Sequence, residues 1–263
     1  MRTRFAPSPT GHLHLGHVAN AIYVWGIART LRGRVLLRME DHDRVRCRPE
    51  YEARILDDLA WLGFQPDEGL HPILRQSDRD QVYRAALQRL RRAHHVYACD
   101  CSRKRISGDH YDGFCRSRGL VERPGRGMRL QMEEGGDLLI RDRDGHWTYQ
   151  FAVTVDDIDQ RVSHVIRGQD LQSSTPRQLQ LRRMLGADAT PVFVHHPLIT
   201  KSDGAKLSKS DGDSGVGELR RAGSSASDVI GRAAAAVGLI EHPRSIDARD
   251  VGDLFHSTDW LRA

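Results

Sequence analysis

The chain has 263 residues, 39% of them hydrophobic, with 40 Lys+Arg against 35 Asp+Glu and a formal net charge of +5. That length can bury a sizeable core, as one large α/β domain or one domain with small appendages. The mild positive balance permits an RNA partner without demanding one. No apolar run is long enough to span a membrane and the start lacks a signal-peptide core, so a soluble cytoplasmic protein is expected. Four cysteines do not make a disulfide scaffold.

In chain order, a short apolar start runs into a Pro/Gly-punctuated loop, Pro7-Ser8-Pro9-Thr10-Gly11, which opens onto a helix predicted over 15–31. Val18, Ala21, Ile22, Trp25 and Ala28 share one face of it, and Gly33 is placed to end it. A buried strand is expected over 35–40, which makes a β-loop-α-β unit with a right-handed crossover. The loop-to-helix junction suits a phosphate, because N–H groups at a helix N-terminus lack intrahelical partners. Gly11 and Gly16 would let backbone approach a nucleotide, and His14 and His17 share one face of the first turn. Two imidazole donors there could stabilise charge developing on a phosphate, although such a pair taken alone is more often structural.

A polar loop over 41–48 precedes a helix from Pro49 to about Leu62, with Ile55, Leu56, Leu59 and Leu62 apolar and Gly63 after it. The next helix is expected from near Asp78, capped by Ser77, with Val82, Ala86, Leu87 and Leu90 as its buried stripe. Its arginines (Arg79, Arg84, Arg89, Arg91, Arg92) read as a solvated face before they read as an RNA patch. Cys99-x-Cys101 with Cys115 is an incomplete zinc constellation that needs a fourth ligand. His110 and Tyr111 are the nearby candidates, and spacing alone favours His110 because imidazole is the ordinary donor. Cys47 stands apart as a free thiol.

From Pro124 the pattern is strand-rich, with strands expected over 128–132, 138–141 and 147–155 and a hairpin at Asp144-Gly145. A strand over 162–167 leads to Gly168-Gln169-Asp170-Leu171. A helix capped by Thr175-Pro176 then runs to Leu185, closed by Gly186, and Val192-Phe193-Val194 reads as a further core strand. Beyond Ser210 the glycine-rich start, a helix over 227–236 and a polar tail with Trp260 are too little for a further large domain.

Pro7-Ser8-Pro9-Thr10-Gly11-x-Leu13-His14-Leu15-Gly16-His17 closely resembles the N-terminal signature of class I aminoacyl-tRNA synthetases of the glutamyl/glutaminyl branch, with His14-Leu15-Gly16-His17 as the "HIGH" element. Lys206-Leu207-Ser208-Lys209-Ser210 resembles the "KMSKS" loop, and Arg38-Met39-Glu40-Asp41-His42-Asp43-Arg44 matches the branch's strand-end signature. The resemblance covers roughly residues 1–210, and the short C-terminus points to the truncated paralogues of glutamyl-tRNA synthetase. It implies an α/β fold: a Rossmann-like parallel-sheet nucleotide-binding domain with an inserted, zinc-bearing acceptor-type subdomain and a short helical extension. The expected divisions are 1–98 and 148–210 for the two halves of the catalytic domain, 99–147 for the insertion, and 211–263 for the extension without an anticodon-binding domain.

What the resemblance implies chemically is an AMP-forming ligase that activates L-glutamate with ATP and Mg²⁺ and passes it to queuosine in the anticodon of tRNA(Asp). His14, His17, Lys206 and Lys209 would be catalytic, and His14, Gly16, His17 and Lys209 would hold ATP. Arg4, Phe5, Ala6, Pro7, Ser8, Glu40, Tyr149 and Arg167 would hold glutamate, with Arg4 gripping a carboxylate and Glu40 taking the ammonium. In those paralogues a Cys-x-Cys…Tyr-x-x-x-Cys pattern binds one structural zinc, which selects Cys99, Cys101, Tyr111 and Cys115. A monomer is expected. Many truncated paralogues replace the final His of the first motif and the final Ser of the second. This chain keeps both, which leaves open a truncated synthetase charging the 3′ end of tRNA(Glu). A non-catalytic RNA-binding descendant and a nucleotidylyl transferase are the remaining rivals.

Overall fold

The computed structural model describes residues 1–102, 105, 106, 111–199 and 215–255. Two parallel strand pairs lie side by side at its centre. Strand β1 (Arg2–Phe5) leads to helix α1 (Leu15–Thr30) and returns to β2 (Arg34–Leu37), with Arg4 opposite Leu36 in parallel register. Much later, β6 (His164–Gly168) pairs with β7 (Val192–His196) in the same way, joined by a 3-10 turn over Gln169–Ser174 and α5 (Thr175–Met184). The pairs meet where the Ser163 N–H donates to the Arg2 carbonyl at 2.9 Å, and the Arg4 guanidinium reaches the Ile166 carbonyl at 3.2 Å. Each pair is the β-helix-β unit expected of its sequence, so the ends of β1, β2 and β6 converge on one floor.

Between the pairs run α2 (Pro49–Leu62), a 3-10 turn over Gln76–Asp78, α3 (Asp80–Ala93) and an antiparallel sheet of β3 (Val96–Cys99), β4 (Gly127–Leu130) and β5 (Leu138–Arg141). Helix α2 has the predicted bounds, with Pro49 in the first turn and Gly63 left-handed at φ 83°. Helix α3 starts later than expected. Ser77 does not cap it; its backbone N–H is held by Asp41 in the 3-10 turn, and Arg79 occupies the cap position. Its buried residues are Tyr83, Leu87 and Leu90, with Val82 and Ala86 at the margin.

The strand expected over 147–155 is instead the helix α4 (Tyr149–Asp159); only Trp147 bridges back to Arg141 across the Asp144-Gly145 turn. The residues are β-prone, but buried Phe151, Ala152, Val155 and Asp156 pack against α3 and α5, so tertiary burial outweighs local propensity. Among the described residues of the C-terminal part, α6 (Val216–Arg221), α7 (Ala226–Ala236, capped by the Ser225 hydroxyl) and a 3-10 segment over Ala248–Phe255 pack on the outer side of α1 and α2.

That covering explains why α1 is buried all round, from Val18 to Ala28 apart from Asn20, rather than on one stripe. Gly26 makes it possible: a Cβ there would lie 2.2 Å from the Phe255 ring. No helix of the described residues is long and apolar enough to cross a membrane.

Candidate active site

The loop between β1 and α1 is stitched to the run that follows β2. The N–H groups of Arg38, Glu40 and Arg48 donate to the carbonyls of Phe5, Pro7 and Pro9 at 3.0–3.1 Å. This lays Arg4–Ser8 beside Glu40. Phe5 itself turns inward and packs on Trp25, with ring centroids 5.2 Å apart, so of this stretch it is a core residue. Pro7 is buried, whereas Ala6 and Ser8 keep partial exposure.

At the end of the loop, His14 is the N-cap of α1. Its Nδ1 accepts the Gly16 N–H at 3.1 Å, while His17 Nδ1 accepts the His14 N–H at 3.1 Å, a reciprocal capping box built from two imidazoles. A neutral imidazole whose Nδ1 accepts carries its proton on Nε2. In that tautomer each ring carries its donor on Nε2 at the helix N-terminus, with centroids 3.9 Å apart. Gly16 is required here, because a Cβ would lie 2.9 Å from the His14 ring.

Beneath this junction lies a buried ion network that the sequence reading did not single out. Arg38 is fully buried and donates to Asp157, Gln160 and Glu40, each at 2.8 Å. Arg4 donates to Asp157 at 3.1 Å. Asp156 takes Arg79 at 2.7 Å, Gln76 at 2.8 Å and the Tyr83 hydroxyl at 2.9 Å. Burial disfavours the Arg38 charge, but Asp157, Glu40 and Asp156 outweigh it and hold the guanidinium above its ordinary range. Burial likewise works against the Asp157 carboxylate, and Arg4 and Arg38 reverse it, so its pKa lies below the ordinary value. The available signal was two adjacent acids inside an apolar helical stretch, hidden by the strand reading of 147–155.

The outer wall is Tyr149, at the start of α4, and Arg167 on β6. Burial, and then the neighbouring Glu40, push the Tyr149 phenol up to about 12, so it stays a neutral donor at physiological pH. Arg167 donates to Gln178 and to the Thr175 hydroxyl, each at 2.8 Å, and lies 3.4 Å from His195 Nε2. Its burial lowers its pKa, as it does for His195. The structure thus brings Arg4, Glu40, Tyr149 and Arg167 to one place, behind the His14/His17 junction. Lys206 and Lys209 lie outside the described residues.

Away from that site, Cys99, Cys101 and Cys115 place three sulfurs within 4.8 Å of one another. The Tyr111 hydroxyl sits among them, 3.5 Å from Cys99 and 3.3 Å from Cys101. Arg129 covers the Tyr111 ring at 3.8 Å, and its Nε lies 3.4 Å from the Cys99 sulfur. Three thiols and a phenol pointing at one centre fit a tetrahedral structural zinc. His110 lies outside the described residues. Cys47 is a free, half-buried thiol beside Ser8.

Residues 1–113 and 126–227 match the family of tRNA synthetases class I (E and Q), catalytic domain. The chain belongs to this family. A glutamyl-Q tRNA(Asp) synthetase of Rhodobacter capsulatus is 39% identical to this synthetase over 87% of the chain and 98% of its own length. One of Symbiobacterium thermophilum is 37% identical over 96% and 91%. A glutamate–tRNA ligase of Acidithiobacillus ferrooxidans is 40% identical, but the match spans 54% of that longer protein. Among solved structures, the glutamate-tRNA synthetase of Elizabethkingia anophelis superposes with a TM-score of 0.70 at 30% identity, over 81% of this chain and 53% of that one. The parallel pairs and their helices are the class I synthetase catalytic fold.

Proposed function

We propose that the protein activates L-glutamate with ATP and transfers it to queuosine in the anticodon of tRNA(Asp). The observation that carries this reading is the pair of relatives named for that reaction, 39% and 37% identical over 87% and 96% of this chain. Arg4 and Arg167 suit the two carboxylates of glutamate, and Glu40 suits its ammonium. A carboxylate oxygen attacks the α-phosphorus of Mg²⁺-bound ATP, the bond to the β-phosphate oxygen breaks, and pyrophosphate leaves. The ring hydroxyl of queuosine then attacks the glutamyl carbonyl and displaces AMP, which carries away the bonding pair. His14, His17 and Gly16 at the helix terminus, with Lys206 and Lys209, stabilise the phosphate during displacement. Residues 1–98 and 148–210 form the catalytic unit, 99–147 the insertion and 211–263 the extension. Cys99, Cys101, Tyr111 and Cys115 hold one structural zinc in the insertion; elemental analysis without zinc would end that assignment, and His110→Ala beside Tyr111→Phe decides the fourth ligand.

The test is glutamate-dependent ATP–pyrophosphate exchange without tRNA, followed by nuclease mapping of labelled glutamate on queuosine-containing tRNA(Asp) and on tRNA(Glu). Exchange should need no tRNA, and the label should travel with the anticodon fragment. Label on the terminal adenosine of tRNA(Glu) would favour the 3′-charging reading, which the intact His17 and Ser210 keep in view. Lys209→Ala should reduce exchange far more than glutamate binding.

A further inference from the structure

Strands β6 and β7 set Arg167 and His195 directly opposite each other in parallel register, so their side chains share one face of the pair. Phe193 lies two residues before His195 on that face. Its ring is within 9° of parallel to the imidazole, and the Arg167 guanidinium lies over it at 5.2 Å. Helix α5 brings Thr175 and Gln178 against the same guanidinium. These three hydrogen-bond partners, His195, Thr175 and Gln178, are uncharged, and Arg167 is only 4% exposed. A buried cation held by neutral groups keeps its charge for an arriving carboxylate.

The hydrogen bonds in this group have a fixed direction. Arg167 Nη2 donates to the Thr175 hydroxyl at 2.8 Å, which leaves that hydroxyl's own proton for His195 Nε2 at 3.1 Å. Arg167 Nε donates to the same His195 Nε2 at 3.4 Å. A ring nitrogen that faces two donors carries no proton, so His195 is neutral with its proton on Nδ1. Burial, then the Arg167 charge and then His196 hold its pKa below the ordinary 6.5, which keeps that form at neutral pH. His195 also lines an open cleft of about 890 Å³, so solvent protons reach its surroundings. Of the charges on that cleft, Glu133 and Glu134 on the turn between β4 and β5 favour an imidazolium, and Arg177 and Arg183 on α5 oppose it.

We infer that His195 is a positioning residue for glutamate: as a neutral acceptor it fixes the Arg167 guanidinium toward a substrate carboxylate, and as an imidazolium it releases it. The inference rests on the glutamate reading above and deepens it. A proton on Nε2 turns the acceptor facing Arg167 Nε into a donor and sets two cations face to face. The Thr175 hydroxyl is then approached by donors from both sides. Gln178 still holds Arg167 Nη1, so the side chain stays in the site while its aim changes. The carboxylate contact is made alike in the ground state and the transition state. Its weakening therefore raises KM for glutamate and leaves kcat nearly unchanged.

The experiment measures KM and kcat for glutamate in pyrophosphate exchange from pH 5 to 8, for wild type, His195→Gln and His195→Leu. Glutamate and ATP titrate identically against all three, so the ratio of the wild-type KM to that of His195→Gln isolates the imidazole. Glutamine presents an acceptor oxygen that takes no proton in this range. The expected ratio is near one above pH 7 and rises several-fold as pH falls below 6.5, with the kcat ratio flat. His195→Leu has no acceptor and should raise KM about tenfold at every pH, the loss of one hydrogen bond to a charged group. A KM ratio that stays constant from pH 5 to 8 would overturn the inference. So would nitrogen NMR spectra of wild type that place the neutral imidazole's proton on Nε2, a measurement that needs no variant to fold. Wild type that exchanges no pyrophosphate with glutamate would overturn the glutamate reading, and this inference with it.

Discussion

Two clusters of buried polar groups hold this molecule, and they are stabilised in opposite ways. The one under the active site closes on itself: Arg4, Arg38 and Arg79 are answered by Glu40, Asp156 and Asp157, supplied by β1, the run after β2, the start of α3 and the helix α4. The one in the insertion is a set of donors with one another for company, three sulfurs and a phenol drawn to a common point. The first is charge-balanced by its own side chains, with Arg4 and Glu40 at its edge, and fixes the relative position of segments far apart in sequence. The second, with the zinc proposed above, would reach full stability only when the metal is bound. The floor under the candidate site is thus built from the protein's own charges, whereas on the proposed reading the cysteine cluster would be closed by an ion.

The largest expected effect comes from breaking the self-contained cluster. Arg38→Met leaves Asp157 and Glu40 buried with less positive charge, and removing one partner of a buried pair costs about 3–5 kcal/mol. For a chain of this size that is a fall in Tm of about 10 °C, accompanied by loss of glutamate binding because Arg4 and Glu40 lose their common anchor. A melt within 2 °C or so of wild type would show that the network is dispensable.

Removing metal should do less, and locally. With a chelator, or with Cys115→Ser, the β3–β5 sheet is expected to lose amide protection while β1, β2, β6 and β7 keep theirs. Pyrophosphate exchange should survive and transfer to RNA should weaken, separating insertion from floor. Uniform loss of protection through both regions would mean that the two clusters form one cooperative unit.

The same contrast explains what the sequence made legible. The His14–His17 junction, the bounds of α2 and the three-Cys spacing are local patterns, and local patterns survive without the fold. Arg38, Asp156 and Asp157 are not legible as a network, because their meaning lies in hydrogen bonds spanning from 73 to 153 residues. The 147–155 segment differs from its expected strand for a related reason: its β-branched and aromatic residues favour a strand, and only the faces of α3 and α5 make it a helix.

Asp58 is the third case, a buried carboxylate without a hydrogen-bond partner among the described residues, and it gives the smallest and most distinctive prediction. It is fully buried on α2 beside the cleft that runs from Thr10–His14 to α6, and among the described residues neither carboxylate oxygen has a hydrogen-bond partner. Burial pushes its pKa up to about 6 from the ordinary 3.8; Arg54, His12 and Arg220 pull it down only partly, and Asp57 adds to the rise. The sign follows from linkage. The unfolded chain gives up this proton near pH 3.8 and the folded chain near pH 6, so Asp58 makes the protein less stable as pH rises between those values, and the penalty is constant above them. Asp157 has the reverse sense: its depressed pKa stabilises the fold above the ordinary carboxylate value and is lost only as acid protonates it. Asp58→Asn removes the charge at nearly constant shape. It should raise stability by on the order of 1 kcal/mol at pH 8, after discounting for the solvent-screened arginines nearby, and by nothing at pH 4. Melting curves of wild type and variant across pH 4–8 should therefore diverge upward through pH 6; curves that stay parallel would mean that burial imposes no penalty on the Asp58 charge.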